Sequence, residues 1–169
     1  MRETATGRIT FGVFALADML AASTTFRTKV GAANAAAAMA HIYRWQFRAA
    51  PAVLHAARPF AMIWQASTLD LRPYAGGSFN MLHGRGGLIL ILTDKDASAR
   101  TARQASGDTF AAFVDGVIND IVPLAGASDN LDLTGLSLLE PIAHSRAWDD
   151  ASAGAYWEAV FLAEWGMTG

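Results

Sequence analysis

The stretch AYWEAVFLAEWG, residues 155–166, decides the fold, because it can be read either as a strand or as a helix. In a strand, where side chains alternate between faces, Trp157, Phe161 and Trp165 share one side with Ala159 and Ala163 between them. Tyr156, Glu158, Val160, Leu162 and Glu164 then take the other side. In a helix the two tryptophans are eight residues apart with Phe161 four from each, so one stripe also fits a helical period. The period alone leaves both readings open. The β-branched and aromatic pair Val160 and Phe161, with Gly154 just before the stretch, favours a strand.

Working outward, the segment NLDLTGLSLLEPIAH (residues 130–144) alternates Leu131, Leu133, Leu136 and Leu138 with polar or small residues and slips phase at Gly135, which predicts a strand carrying a glycine bulge. Before it, from about Asp108 to Leu124, Phe110, Phe113, Val114, Val117, Ile118 and Ile121 line one helical face. Asp115, Asn119 and Asp120 fall elsewhere around that helix. Ser106 or Asp108 can cap its start, and Pro123 with Gly126 can end it. Further back, SFNMLHGRGGLILILTDKD (residues 78–96) holds strand candidates at Ser78–His83 and Gly86–Thr93. The glycines at 84, 86 and 87 allow either a hairpin turn or a bulge that bends one long strand, and neighbouring antiparallel strands are expected.

The segment Phe60–Ser67 has strand character, with Met62 and Trp64 opposite Ala61, Ile63 and Gln65, while Thr68–Gly77 reads as a loop. From His41 the two-residue period sets Ile42, Arg44 and Gln46 against Tyr43, Trp45 and Phe47. The N-terminal part is helical. Ile9, Val13, Leu16 and Leu20, with Phe14 and Ala17, form one buried stripe of a helix from Thr6 to Ala22. Ser23 and Gly31 then cap and stop a short second helix anchored by Phe26 and Val30. The alanine-rich AANAAAAMA that follows is a further helix or a tightly packed connector. Two main amphipathic helices and runs of strands joined by short links predict a single α+β domain over residues 1–169, a mostly antiparallel sheet with the helices on one face.

Composition narrows the function. There is no cysteine, which removes disulfides, thiolate metal sites and thiol nucleophiles. A formal charge of −2 gives no global basic field for nucleic acid. The longest apolar run, Leu88–Leu92, is far below a membrane span, and MRETATGRITFG has no signal-peptide core, so a cytoplasmic protein is expected. Charged residues are only 17% against the roughly 25% of ordinary soluble domains, which fits either an alanine-rich composition or a surface partly covered by other subunits.

Few residues have the spacing of a chemical site. His41, His55, His83 and His144 have no partner at a chelating spacing, and HGRGG leads into an apolar strand rather than opening a helix as a dinucleotide loop would. The acidic pairs Asp94/Asp96 and Asp149/Asp150 read as solvated loop acids. Arg44, Arg48, Arg58, Arg72, Arg85, Arg100, Arg103 and Arg146 are scattered and read as solvated charges, or, if several line one surface of a ring, as contacts to DNA backbone or an acidic partner. No catalytic, cofactor-binding or metal-binding residue is assigned, and an enzyme is not expected. Apolar richness, aromatic strands and glycine-jointed hairpins suit a protein that assembles with copies of itself or with neighbours.

The order of elements resembles the tail terminator (tail completion, tail-to-head joining) proteins of long-tailed bacteriophages. The resemblance lies in the N-terminal helix followed by AASTTFRTKVG, then RPFAMIW, GSFNMLHGRGGLILIL, DTFAAFVDGVINDI, LLEPIAHSR and the closing YWEAVFLAEWG. It implies a hexameric ring that caps the tail tube, stops its polymerisation and joins it to the head-side connector. Such a protein is part of the virion neck, assembled in the host cytoplasm, and meets DNA only as the genome passing through its channel. It needs no cofactor and no membrane.

Within that reading the exposed segments 69–77, 83–87, 94–104 and 145–153 are the candidate contacts, represented by Arg72, Tyr74, His83, Arg85, Asp94, Lys95, Arg100, Arg103 and Arg146. Arg85, with glycines on both sides, is expected at a turn tip, as a contact or as a solvated turn residue. Two alternatives remain: another neck component such as a head-closure or adaptor protein, and a small-molecule binding module in which Trp45, Trp64, Trp157 and Trp165 line a cavity rather than a core.

Overall fold

The computed structural model describes residues 8–45, 56–66, 70–73, 82–96, 102–125, 132–146 and 155–168. The helices are α1 (Arg8–Ala22), α2 (Thr24–Val30), α3 (Ala35–Ala38) and α4 (Arg103–Ile121). The strands are β1 (Ile42–Arg44), β2 (Phe60–Gln65), β3 (Asp70–Pro73), β4 (Leu82–Lys95), β5 (Asp132–Leu138), β6 (Ala143–Arg146) and β7 (Ala155–Thr168). They form one sheet of order β1-β2-β4-β7-β5, with β3 also paired to β4 and β6 to β7. Every pairing is antiparallel except β1 with β2. The fold is α+β.

The opening stretch is a strand. β4 and β7, each 14 residues long, run antiparallel from His83 opposite Thr168 to Lys95 opposite Tyr156 and form the spine of the sheet. Alternation then sorts their side chains. Leu88, Leu90, Leu92, Ala159, Phe161, Ala163 and Trp165 turn to one face with Ala61 and Ile63 of β2. They form one core cluster with Val13, Leu16 and Leu20 of α1 and with Phe110, Phe113, Val114, Val117 and Ile121 of α4. Each large apolar side chain so buried stabilises the fold by roughly 1.5–3 kcal/mol. Ala159 and Ala163, fully buried, let the helical layer approach the strand between the large rings.

α2 starts and stops as its ends predict. The Ser23 hydroxyl accepts from the Phe26 amide at 3.0 Å, and Gly31 takes the left-handed conformation at φ 72°. A contact from elsewhere in the chain completes the cap. One carboxylate oxygen of Asp120, on α4, accepts from the Ser23 hydroxyl and from the Thr25 amide, both at 2.8 Å. Asp120 therefore does not simply face solvent.

Several expectations are corrected. The glycines of GRGG make neither a hairpin nor a bulge: residues 82–95 are one continuous strand with an unbroken register to β7. The reason for glycine at 86 is clearance, since a Cβ there would lie 3.0 Å from Trp165 Nε1, directly across the ladder. Part of the expected 68–77 loop is strand β3, because Asp70–Pro73 pair with the first half of β4. α4 begins five residues before Asp108, at Arg103, and Ala102 stands at its cap with no side-chain hydrogen bond. Ser106 lies inside the helix, where its hydroxyl has other partners. The strand from His41 is short: His41 closes a 3-10 turn, β1 ends at Arg44, and Trp45 has φ 77° and is 40% exposed, so it is not a core aromatic. The bulge in β5 is present, as a register shift between Leu133 and Gly135. The proposed strand residues 78–81 lie outside the described residues.

Candidate functional site

The second face of the sheet, opposite the core cluster, is also apolar. Register places Met62, Ile91 and Val160 in one row across β2, β4 and β7, and Trp64, Ile89 and Leu162 in the next. Ile91 is buried and the others are half-buried. Tyr43 of β1 joins them, its ring meeting Phe60 edge-on at 5.2 Å.

Arg58 sits at one end of these rows. Just before β2, its guanidinium lies 3.9 Å from the centre of the Tyr156 ring and 5.4 Å from that of Phe60. Its Nε donates to the Thr93 hydroxyl at 2.8 Å, and that hydroxyl donates to the Trp157 carbonyl at 2.9 Å. Thr93 is directly opposite both Phe60 and Glu158 in the ladder, so three strands, β2, β4 and β7, bring the group together. Burial pushes the Arg58 pKa down, against the raising influence of Tyr156, Glu158 and Asp94. Burial likewise pushes the Glu158 carboxyl above its ordinary range, opposed by Arg58 and reinforced by Glu140. Two opposite charges are thus held in a partly dehydrated apolar setting. With Nε committed to Thr93, the guanidinium's other N–H groups can donate to a carboxylate or backbone carbonyl of another molecule, while Glu158 can accept.

Other polar side chains hold the two layers together. The Trp157 indole N–H donates to the Ser106 hydroxyl at 2.9 Å, and Ser106 donates to Asp96 at 2.8 Å, tying β7, α4 and the end of β4. Trp157 also stacks on Phe110, with ring centres 6.3 Å apart. Among the described residues there is no cluster of three or more His, Asp or Glu able to hold a metal ion.

Among the described residues the candidate contacts do not gather into one patch. Arg85, expected at a turn tip, lies within β4 opposite Asp70 and Gly166. His83 is also in β4 and faces Arg72 of β3 in the register. Arg146 is in β6 opposite Ala155, so Ser145 and Arg146 belong to a strand rather than a loop. Asp94 and Lys95 end β4; Asp94 forms an ion pair with Lys29 of α2, and Lys95 is exposed. Arg103 opens α4 half-buried, its Nε enclosed without a hydrogen-bond partner. Tyr74 and Arg100 lie outside the described residues. Of the four tryptophans weighed as cavity or core, Trp165 and Trp157 pack in the core, Trp64 lies on the second face and Trp45 is exposed.

The group around Arg58 escaped the sequence reading. Alternation alone puts Tyr156 and Glu158 on one face, but it takes the register of β2, β4 and β7 to bring Thr93 and Arg58 beside them. Neither the protein-family models nor the curated proteins contain a match to this chain. No helix of the described residues is long and apolar enough to cross a membrane.

Proposed function

We propose that this chain is a structural assembly subunit of a phage neck, acting as the tail terminators it resembles act. Copies close into a ring, with six as the expected number. The ring caps the tail tube, leaves no site for the next tube ring and joins the tail to the head-side connector. The observation that supports this reading is the second sheet face, where apolar rows and a dehydrated Arg58 beside Glu158 have the composition of a protein–protein contact: aromatic, Met and Arg rich, with few charges. The mechanism is steric and interfacial. The stiff β4–β7 spine keeps the contact surfaces in place, and the work is done by matching one end of the tube.

Native mass spectrometry and negative-stain microscopy of the purified protein test the assembly, with a closed ring expected. Adding the protein to a polymerising tail-tube protein should then stop elongation at a fixed length. A ring that binds the connector but leaves tube growth unchanged would make it a head-closure or adaptor protein. A protein that stays monomeric and gains thermal stability only from small ligands would overturn the reading in favour of a binding module.

A further inference from the structure

At one end of the second sheet face the charges are sorted by sign. Arg58, just before β2, reaches the Tyr156 ring, and the ladder sets Lys95 of β4 at the level of that ring. Glu158 lies two residues further along β7, and Glu140, in the link from β5 to β6, lies past β7 and acts on it electrostatically. Bases therefore gather on the β4 side and acids on the β5–β6 side. The other charges nearby lie elsewhere: Asp94 pairs with Lys29 of α2, and Arg44 lies over the Phe14 ring of α1. β6 sets Ala143 and Ser145 opposite Glu158 and Tyr156, while His144 and Arg146 stand opposite Trp157 and Ala155, the alternate positions of β7. Glu164 is exposed beyond the far end of the apolar rows.

Neither central charge is paired within the described residues. The Arg58 guanidinium makes one hydrogen bond there, from Nε to Thr93, the Glu158 carboxylate accepts none, and the two form no ion pair. Burial shifts both toward their neutral forms. A partner that serves both must bring an acceptor to Arg58, a donor to Glu158 and an apolar surface for the rows beside them. The chain itself presents that set. A twofold axis parallel to the sheet and midway between guanidinium and carboxylate exchanges their places. Each charge then falls over its opposite in a second copy, the Lys95 side over the Glu140 side, and apolar rows meet apolar rows.

We propose that two copies of this chain pack face to face across this sheet surface, Arg58 of each copy meeting Glu158 of the other beside the row of Met62, Ile91 and Val160. The contact is isologous, the same patch on both copies, so it closes at two and leaves other surfaces free to build a ring. Arg58 has the qualities of an anchor: Thr93 and the Tyr156 ring fix it before contact, so little side-chain freedom is lost on pairing. The inference rests on the assembly reading above, that this face is a protein contact, and names the occupant as a second copy.

Charge reversal tests it. Arg58→Glu leaves two acids in the patch and Glu158→Arg two bases, so each variant alone should pair at least about tenfold more weakly by sedimentation equilibrium, with like charges facing twice. Mixed one to one, the acids of one variant lie over the bases of the other at both positions. Native mass spectrometry should then show the wild-type pairing restored, with one chain of each kind in every pair. That recovery also demonstrates that both variants are folded.

A second measurement uses the absence of native cysteine and leaves both charges in place. Leu162→Cys, in the apolar rows, should be joined to a second copy by a short bis-maleimide, because packed sheets stand roughly 10 Å apart. Thr28→Cys, exposed on α2 on the helical side, should not. Wild-type rings whose mass is indifferent to both reversals and whose Leu162→Cys form gives no cross-link would overturn this contact while leaving the assembly reading intact. Copies that never pair but bind tail-tube protein, and lose it on Arg58→Glu, would overturn it in favour of that partner. A wild-type chain that stays monomeric at every concentration and binds no tube protein would overturn both.

Discussion

Trp165 occupies a slot between two glycines. A Cβ on Gly12 of α1 would fall 2.7 Å from its ring and one on Gly86 of β4 3.0 Å away, so helix and strand approach the two sides of one indole. In an open helix position Gly→Ala stabilises by about 1 kcal/mol. Here overpacking outweighs that gain, and Gly12→Ala should cost about 2 kcal/mol by urea unfolding. Trp165→Phe in the same chain should make the loss less than additive, because the smaller ring gives the new methyl room.

Two carboxylates shape the acid limb of stability in opposite senses. Asp120 is held below its ordinary value of 3.8, first by the Thr25 amide and then by the Ser23 hydroxyl. Its contribution is therefore complete above about pH 4 and is lost as pH falls through the lowered folded value. Asp120→Ala should lower the melting temperature at pH 7 and change it little at pH 2. Glu158 has a folded pKa raised above 4.5 by burial, so the stability linked to its neutral form is complete below that value and lost as pH rises through the folded one. Glu158→Gln should raise the melting temperature at pH 7, and the difference should vanish below about pH 4.

At the scale of elements, α4 is held to the sheet by more than its apolar stripe. Ser106 lies between the Trp157 indole and Asp96, and replacing it leaves a part-buried donor and acceptor without their shared hydroxyl. Ser106→Ala should cost about 1–2 kcal/mol in a denaturant titration, more than an ordinary exposed helix position where alanine is favoured. The apolar stripe of this helix was legible in the sequence from Phe110 to Ile121 because it repeats every three or four residues. Its true start was not. Ser106 has the chemistry of a cap, and only the position of Trp157 across the layer reveals that the hydroxyl is used elsewhere. The glycines at 84–87 misled in the same way: glycine signals a turn by local preference, but residue 86 is glycine because of a ring on another strand. The candidate site was less legible still, since Arg58 and Tyr156 are 98 positions apart in the chain and meet only through the sheet.

The whole molecule has helices on one sheet face, apolar rows on the other, and exposed apolar residues at both edges. If neighbouring copies stabilise one another, unfolding is coupled to dissociation and the melting temperature rises with protein concentration. Wild type should show that rise by differential scanning fluorimetry across a wide dilution series.

By itself the sequence determined the α+β class, the closing strand with its two faces, the buried helical stripes, the caps of α2 and the bulge at Gly135. These follow from periods and end signals that operate over a few residues of chain. Only the tertiary structure decided that GRGG runs straight, that 70–73 is a strand, that Asp120 caps a distant helix, and that Arg58, Thr93, Tyr156 and Glu158 form one group. Each of these depends on strand register and layer packing, which join residues far apart in the chain and leave no periodic trace in it.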